Sequence, residues 1–149
     1  MSRRLQRVRK IVELAEVELD QAAQTYAYMQ SKLADAKQQL ESLQSYCDEY
    51  AKKPSSVNSI SPIQLQTYNA FSDKLSQALV AQRNQVEESE KMQSLAKDNW
   101  IEKRARVKSL EALLKRISNN EQAQINRQEQ RMLDELSAQK YIQNKNNSG

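Results

Sequence analysis

Between Leu5 and Tyr50 the residues spaced alternately by three and four are Leu5, Val8, Val12, Ala15, Leu19, Ala22, Tyr26, Met29, Leu33, Ala36, Leu40, Leu43, Cys47 and Tyr50, and no charge interrupts them. Such a heptad seam, sustained over about six and a half repeats, keeps a narrow apolar stripe facing a partner only if two helices supercoil left-handedly around each other. Whatever else the chain does, it must supply something for this stripe to pack against.

Composition narrows the choice of partner. The 149 residues include one glycine, at position 149, and two prolines, Pro54 and Pro62, so long uninterrupted helices are expected in place of sheets and tight turns. With 5% aromatic and 28% charged residues there is too little bulky apolar material for a broad core, whereas a two-helix seam needs far less. Cys47 is the single cysteine and sits on the seam as a small apolar side chain, which rules out a disulfide framework and suits a reducing compartment. The basic start, Arg3, Arg4, Arg7, Arg9 and Lys10, is followed by Glu13, Glu16 and Glu18 in place of the apolar run of an export signal. No segment approaches the roughly 20 uncharged apolar residues of a membrane span, so membrane association would be peripheral.

The pattern predicts an all-α chain of two long helices forming an antiparallel coiled-coil hairpin, a single domain over 1–149. Helix 1 is expected over about 3–51, a loop over about 52–61, helix 2 over about 62–143 and a frayed tail over 144–149. Pro54 disfavours helix at Lys53, and PSSVNSIS after it has no heptad phase. The restart has Ser61 as N-cap, Pro62 at the first helical position and Gln64 to complete a capping box.

A second seam runs through Leu65, Tyr68, Ser72, Leu75, Leu79, Gln82, Val86, Ser89, Gln93, Ala96, Trp100, Lys103, Val107, Leu110, Leu114 and Ile117. A connection of about ten residues folds the helices back on each other. Matching the seams outward from the loop sets Tyr50 opposite Leu65, Leu40 opposite Leu75, Ala15 opposite Trp100 and Leu5 opposite Leu110, with a one-heptad slip as the rival register. Residues past about Ser118 are then left without a partner, and among them Met132, Leu133 and Leu136 form a short apolar face, a candidate docking site.

Chemistry is hard to place on such a chain, and an enzyme is not expected. Histidine is absent, and no glycine is available for a phosphate-cradling loop. Carboxylates such as Glu87, Glu88 and Glu90 read as solvated surface charge, and neither a metal nor a cofactor is expected. The basic residues are polarised: in the antiparallel arrangement Arg3, Arg4, Arg7, Arg9 and Lys10 gather with Lys103, Arg104, Arg106, Lys108, Lys115 and Arg116, and such an end seeks an acidic partner. Nucleic acid is disfavoured, because aromatic residues that would stack on bases are missing there apart from Trp100, which the seam claims. Toward the loop, Tyr46 and Phe71 flank the seam near Tyr50 and Tyr68, either as extra core edge or as a contact surface.

Several stretches, in this order and spacing, resemble the flagellar export protein FliJ family: IVELAE from Ile11, LESLQSYCDEY from Leu40, QTYNAFSDKL from Gln66, the segment from Trp100 to Arg116, and EQRMLDEL from Glu129. The resemblance covers nearly the whole chain. It implies a stalk-like component of the type III export ATPase complex, cytoplasmic and peripheral to the membrane at the flagellar base, needed for flagellum assembly and motility. The end bearing the termini would enter a hexameric export ATPase (FliI), which here points to Arg3, Arg4, Arg7, Arg9, Lys10, Lys103, Arg104, Arg106 and Lys108. A surface toward the loop would meet the export gate protein (FlhA) through Gln39, Leu43, Tyr46, Tyr50, Phe71, Leu75, Ala78 and Gln82, with Gln82 standing where the family pattern has histidine. Flagellar substrate chaperones would bind near Met132, Leu133 and Leu136. The chain alone would be a monomer.

Three alternatives remain open on the sequence: the equivalent stalk of a virulence-type secretion system, a tether that self-associates in parallel, and a basic coiled coil on nucleic acid, whose affinity would fall steeply with salt.

Overall fold

The computed structural model describes residues 2–52 and 61–148, which form two helices, α1 (Arg3–Lys52) and α2 (Pro62–Asn147), with no strand among the described residues. The helices pair antiparallel: Tyr50 meets Tyr68, Ala36 meets Gln82, and Glu18 meets Lys103, so positions rising along α2 meet positions falling along α1. The expected hairpin is therefore present. The stop at Pro54 and the polar connection up to Ile60 lie outside the described residues.

Helix ends follow from local chemistry. At α1 the Ser2 hydroxyl accepts the Leu5 N–H at 3.2 Å, an N-cap that satisfies one of the orphan donors of the first turn. At α2 the expected capping box is formed. The Gln64 N–H donates to Ser61 Oγ at 3.2 Å, and the Ser61 N–H donates to Gln64 Oε1 at 3.2 Å, with Pro62 as the first helical residue. The α2 helix runs on to Asn147, past the expected 143. Lys145 lies in its last turn, where positive charge favours the exposed carbonyls, and the Ser148 N–H closes on the Asn144 carbonyl at 3.1 Å.

The chain divides into two compact units, and each helix contributes to both. The first comprises Met1–Val17 with Arg104–Gly149. Its core is aliphatic: Leu5, Val8, Val12 and Ile117 are buried together, Leu110, Leu113 and Leu114 pack against them, and Ala15 and Val107 are also buried. Each fully covered aliphatic side chain of this size contributes about 1.5–3 kcal/mol. Ser2, besides capping α1, donates to Glu121 Oε1 and so ties the first turn of α1 to α2. From residue 124 to 147 every α2 residue is exposed, the overhang expected for a second helix longer than the first.

The second unit is Glu18–Lys103. Its buried residues are small, Ala22, Ala36, Val86 and Ser89, and the larger contacts are aromatic. Tyr26 and Trp100 lie 5.8 Å apart between ring centroids, while Tyr50 stacks on Tyr68 at 4.7 Å and meets Phe71 edge-on at 4.9 Å. Polar groups cross between the helices as well. Gln82 Nε2 donates to the Ala36 carbonyl at 3.0 Å, Arg83 Nη2 donates to Gln44 Oε1 at 3.2 Å, and Lys103 Nζ lies 3.5 Å from Glu18 Oε2.

Every seam residue of α1 is buried or half-buried, and every seam residue of α2 except Leu65. The expected register, however, is wrong by one heptad. Leu5 packs in the cluster containing Ile117, seven residues beyond Leu110, and Trp100 meets Tyr26, with the ring planes tilted by 35°. The shift carries Leu65 past the end of α1, which leaves it 49% exposed. It also extends pairing beyond Ser118 to Glu121. The physical reason is that seam residues recur every seven positions, so counting outward from a loop of uncertain length leaves the phase right and the layer undetermined.

Candidate functional site

Three surfaces hold the residues singled out by sequence, and each lies within one unit. In the first unit, Arg3, Arg4, Arg7, Arg9 and Lys10 on α1 and Arg104, Arg106, Lys108, Lys115 and Arg116 on α2 are all exposed. The seam imposes this, because residues off the apolar stripe of a two-helix hairpin have nowhere to go but solvent. By sequence the unit holds fourteen of the 23 basic residues and seven of the 19 acidic ones, a net of +7; the other holds nine basic and twelve acidic, a net of −3.

Lys103, the remaining basic residue singled out with these, is not exposed as they are. It lies in the other unit, at a half-buried seam position, with its ammonium beside the Glu18 carboxylate at 3.5 Å. Positions 104, 106 and 108 are exposed, whereas 103 is half-buried, in phase with Val107 and Trp100.

The second surface is the aromatic face of the Glu18–Lys103 unit. Tyr50 is its hub: half-buried, it stacks with Tyr68, meets Phe71 edge-on, and lies 6.4 Å from the exposed ring of Tyr46. Tyr68, which the family pattern omitted, fixes the hub by donating its hydroxyl to the Tyr50 carbonyl at 3.1 Å. Seam phase could have found it, since Tyr68 is a seam residue. Removal of water around the Tyr50 phenol raises its pKa above the ordinary 10.0, and the negative charge that Tyr68 and Tyr46 would carry raises it further.

From this hub the face continues along α1 into a shallow groove lined by Gln38, Gln39, Ser42, Leu43 and Tyr46. Gln82 is brought to the same surface, its amide 3.4 Å from Gln39 Oε1. Leu75 is half-buried and Ala78 exposed, so all eight residues that the resemblance assigned to this surface fall in one unit, with Tyr46, Tyr50 and Phe71 joined by ring contacts and Gln39 by a hydrogen bond to Gln82.

The third surface is the exposed part of α2. Met132 and Leu136 recur with Ile125 at intervals of four and seven, which places them on one helical face, and Leu133 adjoins it. All four are exposed, as are Tyr141 and Ile142 farther along. Sequence reasoning identified Met132, Leu133 and Leu136 because apolar character returns abruptly after a polar stretch. Ser2 and its link to Glu121 were not anticipated; a serine three residues before the first seam leucine is the available signal.

Among the described residues no three His, Cys, Asp or Glu side chains converge as a metal set, and no helix is long and apolar enough to cross a membrane.

A curated relative from Escherichia coli (strain K12), the flagellar FliJ protein, is 28% identical over 127 residues, covering 84% of this chain and 86% of its own length. The family model described as flagellar FliJ protein matches residues 2–146, nearly the full sequence, and the chain therefore belongs to the flagellar FliJ protein family.

Proposed function

We propose that the chain is a non-catalytic coiled-coil component of the flagellar protein-export machinery, cytoplasmic and peripheral to the membrane at the flagellar base. In this reading the basic unit engages the central opening of a hexameric export ATPase, the aromatic face meets the export gate, and the exposed apolar face of α2 receives substrate chaperones. The observation that carries it is the segregation of charge: fourteen exposed Lys and Arg side chains lie in one unit of a chain whose other unit is net acidic. A ring lumen lined by carboxylates is the natural counterpart, since complementary charge speeds encounter and fixes orientation more than it adds affinity.

The test is to mix the chain with its cognate export ATPase and measure ring assembly and ATP turnover. The triple change of Arg3, Arg4 and Arg7 to Glu should weaken ATPase binding at least about tenfold at low salt, with helicity by circular dichroism unchanged. Changing Tyr46 and Phe71 to Ala should leave ATPase binding intact and reduce binding to the gate. If the unaltered chain neither binds the ATPase nor changes its turnover, the proposal fails.

A further inference from the structure

The apolar phase of the seams fits more than one register. Sliding α1 by one heptad would again set apolar against apolar, with Leu40 across from Leu75, and would cover Leu65. We propose that two polar pairs between the helices, seam residue Lys103 with Glu18 and Arg83 with Gln44 at the rim, select the register that the structure shows.

The argument follows what each pair meets after a slide. In the present register Lys103 Nζ stands 3.5 Å from Glu18 Oε2, an oxygen that is buried and accepts no hydrogen bond. Displacing α1 by one heptad in one direction sets Lys103 beside Ile11 and Glu18 beside Ala96, so a covered carboxylate oxygen loses the ammonium it now faces. The same slide moves Arg83 from Gln44, to which it donates at 3.2 Å, to Lys37, a like charge. A slide in the other direction sets Lys103 beside Thr25 and Arg83 beside Ala51, and both pairs are lost without replacement.

Gln82 does not discriminate in this way. Its shorter bond goes to a backbone carbonyl, a group that recurs at every register. The polar pairs act by difference. With side chains 31% and 35% exposed, the Lys103 and Glu18 pair adds little to stability, yet the wrong alignments forfeit it and bring repulsion or an unpaired charge. This is the division of labour of coiled coils generally, in which flanking charges set alignment and the apolar seam supplies affinity.

Cys47, the only native thiol, is a built-in reporter. In the present register its level on α2 is position 75; after the one-heptad slide it is position 68. A disulfide needs Cα atoms about 4.4–6.8 Å apart, and seven helical residues span about 10 Å, so the two positions are distinguishable. Under mild oxidation of the full chain, Leu75→Cys should cross-link to Cys47 and Tyr68→Cys should not. Combining Arg83→Glu, which welcomes Lys37, with Lys103→Leu, which welcomes Ile11, should raise the Tyr68→Cys cross-link about tenfold and lower the other.

Because Tyr68→Cys removes a ring, a second reporter in a Cys47→Ala background pairs Leu43→Cys with Leu79→Cys for the present register and with Ser72→Cys for the shifted one. Exchange of the charges, Glu18→Lys with Lys103→Glu, should keep the original pattern. The proposal is overturned if the Arg83→Glu, Lys103→Leu chain stays helical and keeps the original cross-links by both reporters. It is equally overturned if the shifted pairs cross-link before any residue of the polar pairs is changed.

Discussion

The two units are built on the same seam and held by different means. The Met1–Val17 and Arg104–Gly149 unit closes over branched aliphatic side chains, carries a net charge of +7, and fixes the start of α1 through Ser2. The Glu18–Lys103 unit buries mainly alanine, one valine and a serine, carries a net charge of −3, and relies on ring contacts and polar bridges. Aliphatic packing is strong and indifferent to direction, whereas stacked rings and cross-helix hydrogen bonds hold only in particular geometries. The first unit is thus suited to resist separation while presenting charge, and the second to present shaped surfaces.

The largest expected effect separates these two modes directly. Ile117→Ala, in the aliphatic cluster, should lower unfolding free energy by about 2–4 kcal/mol in a urea titration, whereas Val86→Ala, buried in the other unit with fewer methylenes to lose, should cost about 1–2 kcal/mol. Equal losses would show that the aliphatic cluster has no special weight.

How far the sequence carried this contrast depends on what each feature needs. Seam phase needs only local spacing, and it placed Leu5, Val8, Val12, Ile117 and the Tyr50 hub correctly. The capping box at Ser61 and Gln64 is likewise a matter of three residues. Register depends on tertiary matching between helices, and it slipped by the one period that seam phase cannot see. Lys103, a seam residue by phase that was also counted with the basic end of the hairpin, is half-buried, its ammonium 3.5 Å from the Glu18 carboxylate. The aromatic face was legible as a cluster, but the Tyr68 hydroxyl bond to the Tyr50 carbonyl was not, since it appears only once the layers are aligned.

A middle-sized effect probes the aromatic unit. Tyr50→Ala removes one ring from three contacts at 4.7, 4.9 and 6.4 Å, and aromatic pairs contribute about 0.5–1.5 kcal/mol each beyond their area. Hydrogen exchange should therefore accelerate around residues 43–50 and 68–75 while protection around Val8 and Val12 holds. Uniform acceleration in both units would show that they open as one.

The smallest effect sharpens the same contrast through pH. Tyr50 is the residue whose ionisation the aromatic unit opposes: loss of surrounding water, then the charge of Tyr68 and Tyr46, hold its pKa above the unfolded value of 10.0. A proton held more tightly in the folded chain than in the unfolded one means that the unfolded state loses it first as pH rises. The contribution is then fully present below pH 10.0 and declines as pH climbs through the raised folded value. Tyr50→Phe keeps the ring, and the Tyr68 bond survives because it ends on the main-chain carbonyl. Melting temperature should fall less steeply above pH 10 in Tyr50→Phe than in the unaltered chain, the gap opening only in the alkaline range; parallel curves would remove Tyr50 from the account. No tyrosine belongs to the aliphatic cluster of the other unit, so alkali should loosen the aromatic face before it reaches Leu5 and Ile117.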